Sequence, residues 1–288
     1  MHPEYAESSS NAGRRNRAAS LRRRPIARSC GTIMEQVSVF LAAALAAMVL
    51  LAAVRRVAAM PLRWSQAVLW WCNYLVARVW WRVGVEGQLL LPKDRGAVIV
   101  ANHRSSIDPS FIETLVPRVV HWMVAREYCE SKAFGWFLRI CEVIPTNRGG
   151  IDTAATKQAI RLAAQGGLIG IFPEGRINTT AELLLPARPG AIVVALNARV
   201  PIIPCYIEGS PYRGTVWSPL LTPARVRLVV GPPWDLSAYY GRSDDRQVRE
   251  LLARELMKRI AALADRTPAT KREDRGIARS IQRAQHRG

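Results

Sequence analysis

A histidine and an aspartate lie five positions apart in this 288-residue sequence, directly after an apolar run over residues 97–101. Imidazole accepts a proton near neutral pH, and a carboxylate bonded to one ring nitrogen fixes its tautomer and stabilises the imidazolium. His103 and Asp108 are therefore candidates for a general base and its orienting acid. A second apolar run, residues 168–171, leads into the segment 172–176, which reads Phe-Pro-Glu-Gly-Arg. The pattern predicts a site where two strands end.

The two side chains would not meet in one continuous helix, because residues five apart are separated by roughly 140° around the helix axis. Pro109 favours the first position of a helix and moves the residue before it out of the helical region. Asp108 is therefore predicted to be an N-cap, with His103 on the preceding loop, so that the loop folds the imidazole back onto the carboxylate. The alternative is that Asp108 only caps the helix and His103 only occupies a loop.

Four segments resemble, in order and at similar spacing, the motif blocks of the phospholipid/glycerol acyltransferase family. Residues 102–108 match the H-x4-D block, and three further matches cover residues 144–150, 172–176 and 200–204. The resemblance extends over about residues 83–232. The third block departs from the frequent Glu-Gly-Thr-Arg-Ser form, because its arginine follows the glycine directly.

The resemblance implies a role for each matched residue. His103 would deprotonate the acceptor hydroxyl and Asp108 would orient the imidazole. Guanidinium groups bind phosphate oxygens in a bidentate manner, which suits a glycerol phosphate headgroup. An alternative for the glutamate is a structural ion pair with either arginine of the site. The residues that the resemblance assigns to substrate binding are Arg148, Glu174, Gly175 and Arg176.

The resemblance also implies the reaction. Family members transfer an acyl group from acyl-CoA or acyl-carrier protein to a lysophospholipid, and 1-acyl-sn-glycerol 3-phosphate, which gives phosphatidate, is the expected acceptor. Other lysolipids and glycerol 3-phosphate would use the same base. Neither a cofactor nor a metal is expected. A serine hydrolase is disfavoured because no Gly-x-Ser-x-Gly motif is present. The alternative class is a non-enzymatic polybasic membrane-binding protein.

The charge of the chain indicates a polyanionic partner. The net charge is +19, from 41 basic and 22 acidic residues, which suits an anionic membrane or a phosphorylated substrate. Nucleic acid is disfavoured because the basic runs lack interleaved aromatic residues for base stacking. The basic residues crowd both ends, so residues 1–30 and 265–288 are predicted to be disordered basic tails.

Residues 31–82 are predicted to be a membrane-associating helical hairpin. Val37–Val54 is 18 residues without a charge, ~27 Å as a helix, which is borderline for a ~30 Å hydrocarbon core. Tryptophans follow, and tryptophan favours the membrane interface; the alternative is that they pack on the domain. We expect membrane lipids as partners and an active site facing the cytoplasm, with a single span as the alternative topology. The tryptophans are Trp64, Trp70, Trp71, Trp80 and Trp81.

The segment 83–264 is predicted to be a single α/β acyltransferase domain with a mostly buried mixed sheet flanked by helices. Apolar runs predict strands, and capping residues predict helix ends. Asp152 is expected to cap one helix, and Ser243 the final one. The predicted strands are 97–101, 168–171, 202–207 and 226–230, and the predicted helices include 152–165 and 191–198.

Overall fold

The chain divides into two units, residues 1–59 and 60–288. The computed structural model describes residues 26–91, 95–147 and 152–265, without the side chains of 26–33, 50, 53 and 56. Arg148 and most of both predicted tails lie outside the described residues.

The described part of the first unit is helix α1, Ile26–Ala58. The helix begins at Ile26, within the segment 1–30 that was predicted to be a basic tail. Its side chains from residue 34 to 49 are all exposed. Over the residues described, no helix reaches the length and apolar character that crossing a membrane requires.

The second unit is built on one sheet of seven strands in the order β1-β7-β6-β2-β5-β3-β4. All neighbouring strands are parallel except β6 and β7, which are antiparallel. The predicted mixed sheet is therefore confirmed. The strands are β1 (Gly84–Glu86), β2 (Ala97–Ala101), β3 (Val120–Ala125), β4 (Ile144–Thr146), β5 (Leu168–Ile171), β6 (Ile202–Glu208) and β7 (Arg227–Val230).

The helices of this unit cover both faces of the sheet. Successive residues of β2 contribute to two separate apolar cores, because side chains alternate between the faces of a strand: Val98 lies in one core and Ile99 in the other. Helices α6, α7 and α8 pack on the first face, and α2 and α3 on the second. The helices are α2 (Trp64–Val79), α3 (Asp108–Glu113), α4 (Arg126–Cys129), α5 (Gly135–Ile140), α6 (Thr153–Ala164), α7 (Gly190–Ala198) and α8 (Arg246–Ala264).

Two helix caps test the reading of local sequence. The Asp152 carboxylate accepts from the backbone N–H of Ala155 at 3.0 Å, which confirms this residue as the cap of α6. The predicted cap of α8 is wrong. Asp245 occupies that position and accepts from two backbone N–H groups, while the Ser243 hydroxyl contacts Asn197 instead.

Helix α2 is packed into the second unit, although residues 31–82 were predicted to form one membrane-associating segment. The Trp70 indole donates to the carbonyl of Glu113 at 2.8 Å, and the Asn73 amide to that of Ser110 at 2.8 Å. Trp81, just beyond the helix, is buried. The tryptophans thus divide between packing and exposure, because Trp64 and Trp80 keep 62% and 41% of their surface exposed.

Candidate active site

The loop after β2 begins with an asparagine that links two strands. The buried Asn102 side chain donates to the Ile207 carbonyl at 2.9 Å and accepts from the Ile207 N–H at 2.7 Å. The carboxamide thereby satisfies both backbone groups of that residue, as a paired strand residue would. This pair of hydrogen bonds fixes the end of β2 and the start of the loop that carries His103.

His103 and Asp108 meet as the sequence predicted. Nδ1 of His103 lies 3.0 Å from Oδ2 of Asp108, and the imidazole keeps 17% of its surface exposed, whereas the carboxylate is fully buried. The same oxygen accepts from the backbone N–H groups of Arg104 at 2.6 Å and Ser105 at 2.7 Å. An Nδ1–H donor to the carboxylate leaves Nε2 unprotonated and able to accept a proton.

Asp108 is the first residue of α3 and not its N-cap, which corrects the predicted capping role. Ile107 takes the cap position, and no side chain caps the helix. The reason lies in the carboxylate, whose hydrogen bonds go to the loop and to Ser210. The Ser210 hydroxyl donates to Oδ1 of Asp108 at 2.6 Å, so both carboxylate oxygens are bound.

Two stacked rings support the imidazole. Phe172 lies parallel to His103 with ring centroids 4.0 Å apart, and Trp122 lies behind Phe172 at 4.8 Å. The Trp122 indole donates to Oε1 of Glu113 at 3.0 Å. Gly170 makes room for the indole, because a Cβ there would lie 2.4 Å from Trp122 ring atoms. The position of the imidazole therefore depends on residues of β3 and β5.

Burial changes the ionisation of Glu113. Removal from water raises the pKa of this carboxyl to about 7, against a smaller lowering by the indole hydrogen bond. The carboxyl thus carries a proton over part of the neutral range. It is a titrating group that the rings of Trp122 and Phe172 separate from His103.

Glu174 connects two loops. Oε1 accepts from the backbone N–H of His103 at 2.9 Å, and Oε2 from that of Leu185 at 2.9 Å. The side chain is buried, and this burial raises its pKa, although the two N–H groups act in the opposite direction. Both carboxylate oxygens bind backbone, and an ion pair with Arg176 is not seen among the described residues. The alternative partner, Arg148, lies outside them.

The other predicted substrate-binding residues lie at the surface near this glutamate. Gly175 is exposed at a positive φ of 70°, and a Cβ there would lie 2.8 Å from Nε of Arg188. Both features favour glycine. Arg176 is exposed. The structure thus brings His103, Asp108 and Glu174 together, Gly175 and Arg176 follow Glu174 directly in the chain, and Arg148 lies outside the described residues.

A polar cavity of about 660 Å³ opens beside the loop. Arg104 lines it, but its guanidinium already donates to the carbonyls of Asn178, Thr180 and Glu182. Ser210 also lines the cavity, next to the buried Asp108. No three His, Cys, Asp or Glu side chains of the described ranges converge as metal ligands.

Sequence reasoning missed Ser210 and the Trp122–Phe172 pair. Ser210 follows the predicted strand 202–207 closely, so its place at a strand end was an available signal. For the ring stack the signal was weaker: Phe172 is the first residue of the matched segment 172–176, but nothing in the sequence pairs it with Trp122.

Residues 82–208 match the family model described as acyltransferase. The chain is 28% identical over 144 residues to the 1-acyl-sn-glycerol-3-phosphate acyltransferase of Bacillus subtilis, covering 50% of this chain and 69% of that protein. It is 31% identical over 126 residues to the human 1-acyl-sn-glycerol-3-phosphate acyltransferase beta, covering 43% of this chain and 45% of that protein. For the human relative, the match thus spans less than half of its length.

A solved structure has the same fold. The crystal structure of the 1-acyl-sn-glycerophosphate (LPA) acyltransferase PlsC from Thermotoga maritima superposes with a TM-score of 0.55, covering 75% of this chain and 88% of that chain at 22% identity. The predicted α/β acyltransferase fold is thereby confirmed. The family model matches residues 82–208, and the solved structure shows that the fold is shared.

Proposed function

We propose that this protein transfers a fatty acyl group from an acyl thioester to the free hydroxyl of a lysophospholipid, with 1-acyl-sn-glycerol 3-phosphate as acceptor and phosphatidate as product. The observation that carries the proposal is the contact between His103 Nδ1 and the buried Asp108 carboxylate at 3.0 Å. That contact leaves Nε2 available as a base. The names of the Bacillus subtilis and human relatives support the choice of acceptor.

The proposed reaction proceeds in two steps. Nε2 of His103 takes the hydroxyl proton as the acceptor oxygen attacks the thioester carbonyl carbon, and Asp108 stabilises the resulting imidazolium. The tetrahedral intermediate then expels the thiolate, which receives the proton from the imidazolium. The products are the acyl ester and a free thiol, so atoms and charges balance. An acyl-CoA and an acyl-carrier protein supply the same thioester.

We assign headgroup recognition to Arg176 and Arg148. Arg176 is exposed and follows Gly175 directly, so its guanidinium is accessible to a phosphate. Arg148, from the second matched segment, is proposed to act with it. Glu174 supports this role indirectly, because its two backbone hydrogen bonds hold the loop in place.

Membrane association through residues 31–82, with the site facing the cytoplasm, is part of the same proposal. The exposed apolar side chains of α1 and the net charge of +19 support it. Protease cleavage of tags at residues 1 and 288 in sealed vesicles tests the topology. Cleavage of the two tags from opposite sides would contradict the hairpin.

The decisive experiment incubates the purified full chain with acyl-CoA or acyl-carrier protein and a panel of acceptors, and identifies the products by mass. The panel holds 1-acylglycerol 3-phosphate, glycerol 3-phosphate and phosphate-free lysolipids. His103→Ala should lower the rate by about 10²–10⁴, the range for a general base, and Asp108→Asn should also impair it severely by favouring the wrong tautomer. Membrane binding without any acyl product would favour the non-enzymatic alternative.

A further inference from the structure

The connection between β6 and β7 is long and held by side-chain hydrogen bonds, although it contains no helix or strand. It covers residues 209–226, and loops of this length without secondary structure are uncommon in compact domains unless they have a function. The hydroxyls of Ser105 and Ser106 donate to the carbonyls of Pro211 and Val216 at 2.6 and 2.9 Å. These bonds attach the connection directly to the loop that carries the proposed general base.

The second half of this connection exposes large apolar side chains. Trp217, Leu220 and Leu221 keep 50%, 46% and 80% of their surface exposed. Trp217 stacks on Phe134 with ring centroids 4.3 Å apart, and Trp136, two positions further, is 55% exposed. Single exposed apolar residues are common, but a group of them marks an interaction surface. These five residues are called the loop patch below.

Two further observations indicate what the loop patch contacts. Leu220 lines an apolar cavity of about 250 Å³ together with Trp81 and Phe137, so the apolar surface continues inward towards α2. Lys132, two positions before the patch, and Arg213, in the same connection, are exposed, and neither has a carboxylate partner among the described residues. Tryptophan suits the headgroup level of a bilayer, and unpaired basic residues attract anionic lipids.

We propose that the loop patch is a membrane-contact surface of the catalytic domain, which seats residues 209–226 on an anionic bilayer. A protein partner is less well supported, because Lys132 and Arg213 have no carboxylate partner within the described part of the chain and the proposed acceptor is itself a membrane lipid. The inference rests on the proposed function for that acceptor. The hydrogen bonds of Ser105, Ser106 and Ser210 join the connection to the His103 loop. Binding of the loop patch to the bilayer therefore brings the site to the lipid surface.

Hydrogen–deuterium exchange of the full chain tests the contact without requiring turnover. Phosphatidylcholine vesicles with and without phosphatidylglycerol are the probes. Peptides from residues 211–224 should exchange several-fold more slowly with the anionic vesicles than without vesicles. Peptides of α8 should not change, because this helix packs on the other face of the sheet. Unchanged exchange at 211–224 would overturn the proposal. Protection that rises with protein concentration without vesicles would overturn it in favour of self-association.

A variant pair links the contact to catalysis. Leu221→Glu should abolish the protection of 211–224 while leaving that of α1, and should lower the rate on vesicle-embedded acceptor by about tenfold, the order expected from losing one buried leucine. The rate on a short-chain acceptor dissolved as monomers should stay within about twofold. Leu251→Glu is the matched control, since Leu251 is 50% exposed on α8 and should change neither rate.

The outcomes separate this proposal from the proposed function. Equal losses of Leu221→Glu on both acceptors would contradict a membrane role for the patch, and Trp217→Ala repeats the comparison if the first variant folds poorly. A wild-type chain that is inactive on every acceptor would refute the proposed function, yet the exchange experiment would still report whether the patch binds the bilayer.

Discussion

Replacing Gly170 by alanine should lower both stability and turnover, because the added methyl group displaces the Trp122 indole. The added Cβ would lie 2.4 Å from two atoms of the Trp122 indole and 2.7 Å from a third, far inside van der Waals contact. Overpacking of this kind costs about 1–3 kcal/mol, which lowers the melting temperature by roughly 2–12 °C in a domain of this size. Displacing the indole also removes the support of Phe172 behind His103, so kcat should fall with little change in KM.

Gly190→Ala is the matched control, because a Cβ at Gly190 meets nothing within 4 Å. This variant should keep the melting temperature and kcat of the wild type. Thermal unfolding and steady-state kinetics give both readouts. A double-mutant cycle with Trp122→Leu then tests the cause: the smaller side chain should relieve part of the Gly170→Ala cost, giving a coupling energy of about 0.5 kcal/mol or more. Additive effects, or equal stability of Gly170→Ala and Gly190→Ala, would refute the reasoning.

Three further predictions address the site. Ser210→Ala leaves Oδ1 of the buried Asp108 without its side-chain donor, so denaturant unfolding should show a loss of about 1.5–3 kcal/mol, with a lower kcat; an unchanged midpoint would contradict this. Burial raises the pKa of Glu113 to about 7 from 4.5, so between these pH values the folded state holds a proton that the unfolded state has lost, and the stability of the wild type falls as the pH rises. The stability of Glu113→Gln relative to the wild type should therefore increase by up to about 3 kcal/mol from pH 4.5 to 7, and a stability difference that does not change with pH would contradict this. Arg176→Ala should raise the KM for a phosphate-bearing lysolipid more than for a phosphate-free one, and equal changes would indicate a structural role.

The sheet could be predicted where the sequence is uniformly apolar. Strands 97–101 and 168–171 have the predicted bounds, because central parallel strands are buried on both faces and read as uninterrupted apolar runs. The start of α8 was less predictable. Ser243 and Asp245 are both good capping residues two positions apart, and the choice depends on Asn197, which contacts Ser243 from another helix.

Only the part of the candidate site that is close in sequence could be predicted. His103 and Asp108 are close in sequence, so their spacing and the proline pointed to a contact, although the capping role inferred from the proline was wrong. Ser210 reaches the same carboxylate from 102 positions away, and that contact follows from the order of strands in the sheet, which no local pattern encodes. Glu174 illustrates a second limit, because a matched motif indicates that the residue matters but not whether it binds substrate or backbone.

The stacked rings around His103 constrain how two substrates can react. Phe172 covers one face of the imidazole and Asp108 engages Nδ1, so a hydroxyl has to approach at the Nε2 edge. The hydroxyls of Ser105 and Ser210 are committed to Pro211 and Asp108, which leaves neither placed to hold an acyl group between half-reactions. For the proposed reaction we therefore expect donor and acceptor to occupy the site together. Initial-rate plots should then intersect, as for a ternary complex, and parallel lines would indicate a ping-pong mechanism.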